Sequence, residues 1–206
     1  MKYVKKIPET NIELSNNLKK QGWIKIKEPK NVFIAILTSL PLMIVLSGFT
    51  ISFTYILKPE LFNLFMTESM SFVINIDLRL ILFILVLFVY MFLHEMIHAI
   101  CIPNFVNSDK IFWGINGLFG FVFTTEPIRK GRFIIVSCAP FLLLTIGALI
   151  IFDLTGLLNG YTFSLCFLNA AGSCTDFLNA LLITFQVKKR RKIISNGFET
   201  FYNPFI

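Results

Sequence analysis

Charge is scarce in this chain. Asp, Glu, Lys and Arg make up 15% of its 206 residues, while 55% are hydrophobic and 24 are Phe. That balance excludes an ordinary soluble domain and reads as an integral membrane protein. Cysteine is sparse and lacks paired close spacing: Cys101, Cys138, Cys166 and Cys174 all lie within or at the edge of hydrophobic runs. Neither a disulfide framework nor a zinc knuckle is expected from them, and they read as small apolar packing residues. There is no internal repeat, low-complexity tract or second domain, and outside the tails no interleaving of aromatic and basic residues, which argues against a nucleic-acid partner. Histidine is the scarcest of all, with two in the whole chain.

Four apolar segments reach the length of about 20 residues that a bilayer crossing needs. They run from Val32 to Leu57, Leu78 to Ile102, Phe133 to Leu154 and Tyr161 to Val187. The expected fold class is an all-α membrane protein of four transmembrane helices. Residues 1–30 form a basic lead-in, 31–187 the membrane domain and 188–206 a basic tail. The lead-in holds eight lysines against three glutamates, and the run Lys188-Lys189-Arg190-Arg191-Lys192 follows the last apolar segment. The connection over 104–132 carries Lys110, Arg129, Lys130 and Arg132, whereas that over 153–160 carries no Lys or Arg. Cytoplasmic loops hold the excess of Lys and Arg, so both termini are expected on the cytoplasmic side of the cell membrane. No signal peptide is expected to be removed. Thr10 followed by Glu13 fits a capping box that opens a helix to about Lys20, Gly22 breaks it, and Trp23 to Lys27 alternates like a short strand.

Both histidines fall in one run, His94-Glu95-Met96-Ile97-His98, inside the second apolar segment. Four residues apart on a helix, their imidazoles can close on one metal ion with the glutamate facing the same pocket, the spacing of a zinc metallohydrolase. At 1.5 Å per residue, His94 lies roughly 24 Å in from Leu78, and Asp176 of the fourth segment lies roughly 22 Å in from Tyr161 on a span running the same way. The carboxylate and the histidines therefore share a depth. An unpaired carboxylate in hydrocarbon costs at least a few kcal/mol, so Asp176 needs a partner, and a cation shared with His94 and His98 supplies one. Asn169, Gly172, Ser173, Asp176, Asn179 and Ala180 form a small, polar stripe expected to pack on the second span. In the third span Ser137 and Pro140 lie near the same level, and Pro140 is expected to bend its helix and free a backbone carbonyl. Ile111 to Thr125 is too short to cross the membrane. Asn116-Gly117 between two β-prone runs signals a re-entrant or interfacial β-hairpin between the second and third helices, dipping toward the metal site. Alternatively it is a greasy loop that plugs the bundle.

The HEMIH run, the stretch from Ser137 to Pro140 and the NAAGSCTD stretch from Asn169 to Asp176 resemble the putative zincin peptidases, a family of small bacterial membrane proteins. More distantly they resemble the site-2 intramembrane metalloproteases, although Asp176 lacks the Asn-Pro or Leu-Asp-Gly context usual in that group. The resemblance implies an intramembrane zinc metallopeptidase in a bacterial plasma membrane, with His94, His98 and Asp176 as zinc ligands. Glu95 is the expected general base, and Asn169 is expected to polarise the scissile carbonyl or to orient a ligand. Its partners would be the lipid bilayer and a membrane-embedded or membrane-proximal protein or peptide substrate. Two other classes stand beside this one. A non-catalytic adaptor or immunity-type protein would close the site with a fourth ligand such as Cys174 or Glu126. A metal transporter would need a polar path through both halves of the bilayer, and the polar residues here cluster on one side.

Overall fold

The computed structural model describes residues 1–6, 8–65, 77–116 and 119–205. Four helices in it are long and apolar enough to cross a membrane, over Val32–Leu57, Leu78–Cys101, Lys130–Leu154 and Gly160–Gln186. The chain is a mostly helical membrane protein with two small sheets.

A short helix, α1 (Ile12–Lys20), precedes the spans. Asn11 caps it by accepting from Leu14 N at 3.0 Å. The expected Thr10–Glu13 capping box does not form. The helix starts one residue later, which moves Glu13 off the third helical position, and Thr10 Oγ1 instead accepts from Phe198 N. The first span, α2 (Val32–Leu57), opens on Asn31, whose side chain accepts from Ile34 N. Apolar all round, it leaves Phe33, Ile44, Val45 and Ile56 facing outward and buries the small polar residues Ser39, Thr50 and Thr54. Thr50 and Thr54 donate to carbonyls one turn back, so their hydroxyls are satisfied inside the bundle. The second span, α3 (Leu78–Cys101), is capped by Asp77.

The third span is less regular. It comprises α4 (Lys130–Phe141), a π-helical stretch over Leu142–Gly147 and α5 (Ala148–Leu154). The widened turn follows directly on Pro140, which lacks the N–H that a regular α-helix would donate to the carbonyl four residues earlier. The fourth span divides at Ser173 into α6 (Gly160–Gly172), opened by an Asn159–Thr162 capping box, and α7 (Cys174–Gln186). The polar stripe expected to lie along the second span is thereby split. α6 meets α3, whereas α7 packs on α2 and α4, and the residue that α7 sends to α3 is Asp176 in its first turn.

Between the second and third spans stands the expected hairpin, β3 (Ile111–Asn116) against β4 (Phe119–Thr124). Gly117 of the expected turn lies outside the described residues. The strand β1 (Lys2–Tyr3) adds in parallel to β3, so β4 is the free edge of this sheet, and it lies against α3. The second sheet joins both tails. β2 (Ile24–Lys25), β7 (Glu199–Tyr202), β6 (Lys192–Asn196) and β5 (Ile128–Arg129) neighbour one another in that order. Asn196, buried, holds the ends together by accepting from Asn11 N and donating to Asn11 O and Ser15 Oγ.

Candidate metal centre

The helix α3 carries His94 and His98 one turn apart, and their Nε2 atoms come within 3.2 Å of each other. Asp176 Oδ2 lies 3.3 Å from His94 Nε2 and 3.5 Å from His98 Nε2. Three donors thus form a nearly equilateral triangle. A tetrahedral zinc ion with bonds of about 2.05 Å requires its donors to be about 3.3 Å apart, so the side chains fit such an ion without rearrangement. Among the described residues this is the group of His, Cys, Asp and Glu whose donor atoms converge.

The other nitrogen of each imidazole is also committed. His94 Nδ1 lies 2.9 Å from Asn169 Oδ1, and His98 Nδ1 lies 2.7 Å from the Val136 carbonyl oxygen. Both partners are acceptors, so each ring carries its proton on Nδ1 and offers the Nε2 lone pair to the triangle. The orientation of the Asn169 amide follows from its surroundings. Its Nδ2 donates to Thr145 Oγ1 at 2.9 Å and to the Pro140 carbonyl at 3.3 Å, while Thr145 Oγ1 donates to the Cys166 carbonyl. With both ends of its amide engaged, Asn169 contacts the His94 ring through Oδ1 and spends its Nδ2 protons on Thr145 and Pro140.

Val136 stands four residues before Pro140. In a regular helix the residue at 140 would donate its N–H to the Val136 carbonyl, and proline has none to give. The carbonyl freed in this way is the one that holds His98. Ser137, expected near the metal, is buried on the same turn, but the contact to His98 comes from its neighbour's backbone. The π-helical stretch contributes in the same manner, supplying the Thr145 hydroxyl to Asn169 and the Leu144 carbonyl to the Tyr90 hydroxyl. Sequence reasoning missed Val136 and Thr145. For Val136 the signal was the position of Pro140 itself.

Glu95, between the two histidines on α3, rests against β4. A Cβ at Gly120 would lie 2.6 Å from Glu95 Cγ, so the Glu95 side chain packs directly on the backbone of β4. The pairing pattern explains this placement. The Trp113 carbonyl is turned outward to accept from Val4 N, so Trp113 and Val122 form a pair without mutual hydrogen bonds. Gly120, Val122 and Thr124 therefore present their backbone groups along the free edge, beside Glu95. The two residues named as a fourth ligand lie elsewhere in the hydrogen-bond network: Cys174 Sγ is 3.2 Å from Ser39 Oγ, and Glu126 accepts from Ser108 Oγ.

The family model described as putative zincin peptidase matches residues 87–191. That span covers just over half of the chain and contains both histidines, Glu95, the hairpin, Val136, Asn169 and Asp176. The chain belongs to the putative zincin peptidase family. Membership points to a metallopeptidase, and the converging His–His–Asp triangle is a donor set that suits the zinc of the family's description. No curated protein and no solved structure matches this chain.

Proposed function

We propose that this protein is an intramembrane zinc metalloprotease that hydrolyses peptide bonds of membrane-embedded or membrane-proximal substrates. The observation that carries the reading is the triangle of His94, His98 and Asp176 donors, spaced for one tetrahedral ion, with Glu95 on the same helix turn. Three protein donors leave a fourth position free, as catalytic zinc sites do and closed structural sites do not. A bound zinc ion supplies Lewis acidity there, polarising a carbonyl oxygen and bringing the pKa of water toward about 7. Glu95 takes the proton from the attacking water as its oxygen bonds to the carbonyl carbon. It then returns that proton to the leaving amine nitrogen as the C–N bond breaks. Asn169 and the Val136 carbonyl keep both imidazoles in the liganding tautomer throughout.

Substrate presentation follows from the free edge of β4. An extended chain can pair with the outward backbone groups of Gly120, Val122 and Thr124, which would bring its scissile bond beside the Glu95 carboxylate. The arrangement favours an unwound segment over an intact helix, whose backbone groups are already paired. The membrane in this reading is a bacterial plasma membrane with both termini and the nearer face of the site on its cytoplasmic side, an orientation that the segregation of Lys and Arg supports. The distant likeness to site-2 proteases fits this reading. The alternative of a metal-holding adaptor requires a closed site, and the engagement of Cys174 with Ser39 and of Glu126 with Ser108 weighs against it.

The test is cleavage of a panel of transmembrane peptides bearing helix-breaking residues, reconstituted with the purified protein. Glu95→Gln should abolish cleavage with the metal retained, and a variant that cleaves at the wild-type rate would sink the mechanism.

A further inference from the structure

A second polar feature lies at the end of the bundle that carries both termini, away from the triangle. Arg129, Arg190, Lys192, Asn203 and Phe205 line a cavity of about 570 Å³. Arg129 caps the start of the third span, and Arg190 follows shortly after Gln186, where the fourth span ends. The cavity therefore sits at the level of span ends, where lipid headgroups lie.

Among the described residues its charge is uncompensated. Arg129 and Lys192 are direct cross-strand partners in the β5–β6 ladder, an arrangement that like charges destabilise. Arg190 adopts φ 65, a left-handed conformation uncommon outside Gly and Asn, and so holds its side chain at a cost in backbone strain. None of the three has a carboxylate within ion-pair distance among the described residues, and the neighbouring Arg191 has Nη1 buried without a hydrogen-bond partner. The start of α4 adds to the field, because it has neither a side-chain cap nor an acidic residue in its first turn. Phe205, 69% exposed, supplies an apolar surface on the same wall. Cations around a cavity beside an exposed aromatic ring, at the ends of two spans, match a phosphodiester joined to acyl chains.

We propose that this cavity binds the phosphate of an anionic phospholipid headgroup through Arg129, Arg190 and Lys192. The site is independent of the metal centre, and it ties the sheet made by both tails to the membrane surface.

The experiment measures binding of fluorescent phosphatidylglycerol and phosphatidylcholine to the full chain in nonionic detergent micelles. The wild type should bind phosphatidylglycerol saturably and in preference to phosphatidylcholine. Arg129→Gln, Arg190→Asn and Lys192→Gln combined should lose about a hundredfold in affinity, from about fivefold per cation. Lys5→Gln, Lys6→Gln and Lys27→Gln combined, which remove the same charge elsewhere at this end, should leave binding unchanged. Should the combined variant fail to fold, Lys192→Gln alone, on an exposed strand position, should lose about fivefold. Equal losses in both triple variants would reduce the pocket to diffuse attraction and overturn the proposal. So would undiminished binding by the pocket variants, and displacement of the lipid by millimolar inorganic phosphate would assign the site to a free anion instead.

Discussion

Replacing Pro140 with alanine should make this protein more stable and worse at holding metal. Alanine restores an N–H at position 140, and its nearest acceptor is the Val136 carbonyl, which now receives His98 Nδ1 at 2.7 Å. In a helix interior proline is about 3 kcal/mol less favourable than alanine, so the apo protein should gain up to that amount, reduced by the neighbouring π-helical stretch that already accommodates the proline. The new N–H competes for the oxygen that fixes the His98 tautomer, and loss of such a partner typically costs 10–100-fold in metal affinity, or about 1.4–2.7 kcal/mol. The two effects therefore have opposite signs. The assay pairs thermal unfolding of the metal-free protein in detergent with zinc titration against a competing chelator. Pro41→Ala is the control, since Pro41 lies inside α2, an element that contributes no ligand. It should raise stability without changing affinity. If Pro140→Ala binds zinc as tightly as the wild type, the freed carbonyl is not what positions His98, and the link drawn from Pro140 to the metal centre fails.

Other perturbations separate the parts of the site. Asn169→Leu should lower zinc affinity by about 10–100-fold in the same titration, while Asn169→Asp, which keeps an oxygen facing His94 Nδ1, should retain most of it. Gly120→Ala should leave metal content intact yet slow cleavage by about tenfold or more, because the added Cβ, 2.6 Å from Glu95 Cγ, must push the carboxylate off its position; equal turnover would show that Glu95 need not rest against β4. In the sheet joining the tails, Lys25 and Ser15 hold the Glu199 carboxyl below its usual value, so its stabilising contribution is present at neutral pH and is lost as pH falls below about 4.5 and on through the lowered folded value. Burial raises Glu28 despite the hydrogen bond from Thr200 N, so its ionisation opposes folding once pH rises above the unfolded value. At pH 7, Glu199→Gln should speed hydrogen exchange in β6 and β7 and Glu28→Gln should slow it, and the reverse order would refute both assignments.

The parts of this architecture that sequence made legible are those in which side-chain chemistry carries the information. His94, Glu95 and His98 declare themselves by spacing, and Asp176 by the cost of leaving a carboxylate unpaired at that depth. Asn116-Gly117 marked the hairpin, whose strands form as expected. What stayed hidden is held by backbone or by distant pairing. The Val136 carbonyl has no side-chain signature, and only the four-residue offset to Pro140 points to it. Asn169 was visible as a polar residue in the fourth span, but the orientation of its amide depends on Thr145, buried in the π-helical stretch. Thr10 and Asn11 are both good helix caps, and which one serves is decided by Asn196, far along the chain, which binds the Asn11 backbone. That same contact joins two tails that read separately in the sequence.

The central claim is that His94, His98 and Asp176 hold one zinc ion in an open site. Elemental mass spectrometry on the detergent-purified protein tests it most directly, comparing the wild type with His94→Ala, Asp176→Ala and Cys174→Ala. The account predicts about one zinc per chain, lost with His94 or Asp176 and kept without Cys174, whose thiol is engaged with Ser39. A folded wild type that neither contains zinc nor takes it up would contradict the account and leave the two histidines and the aspartate as a buried hydrogen-bonded cluster.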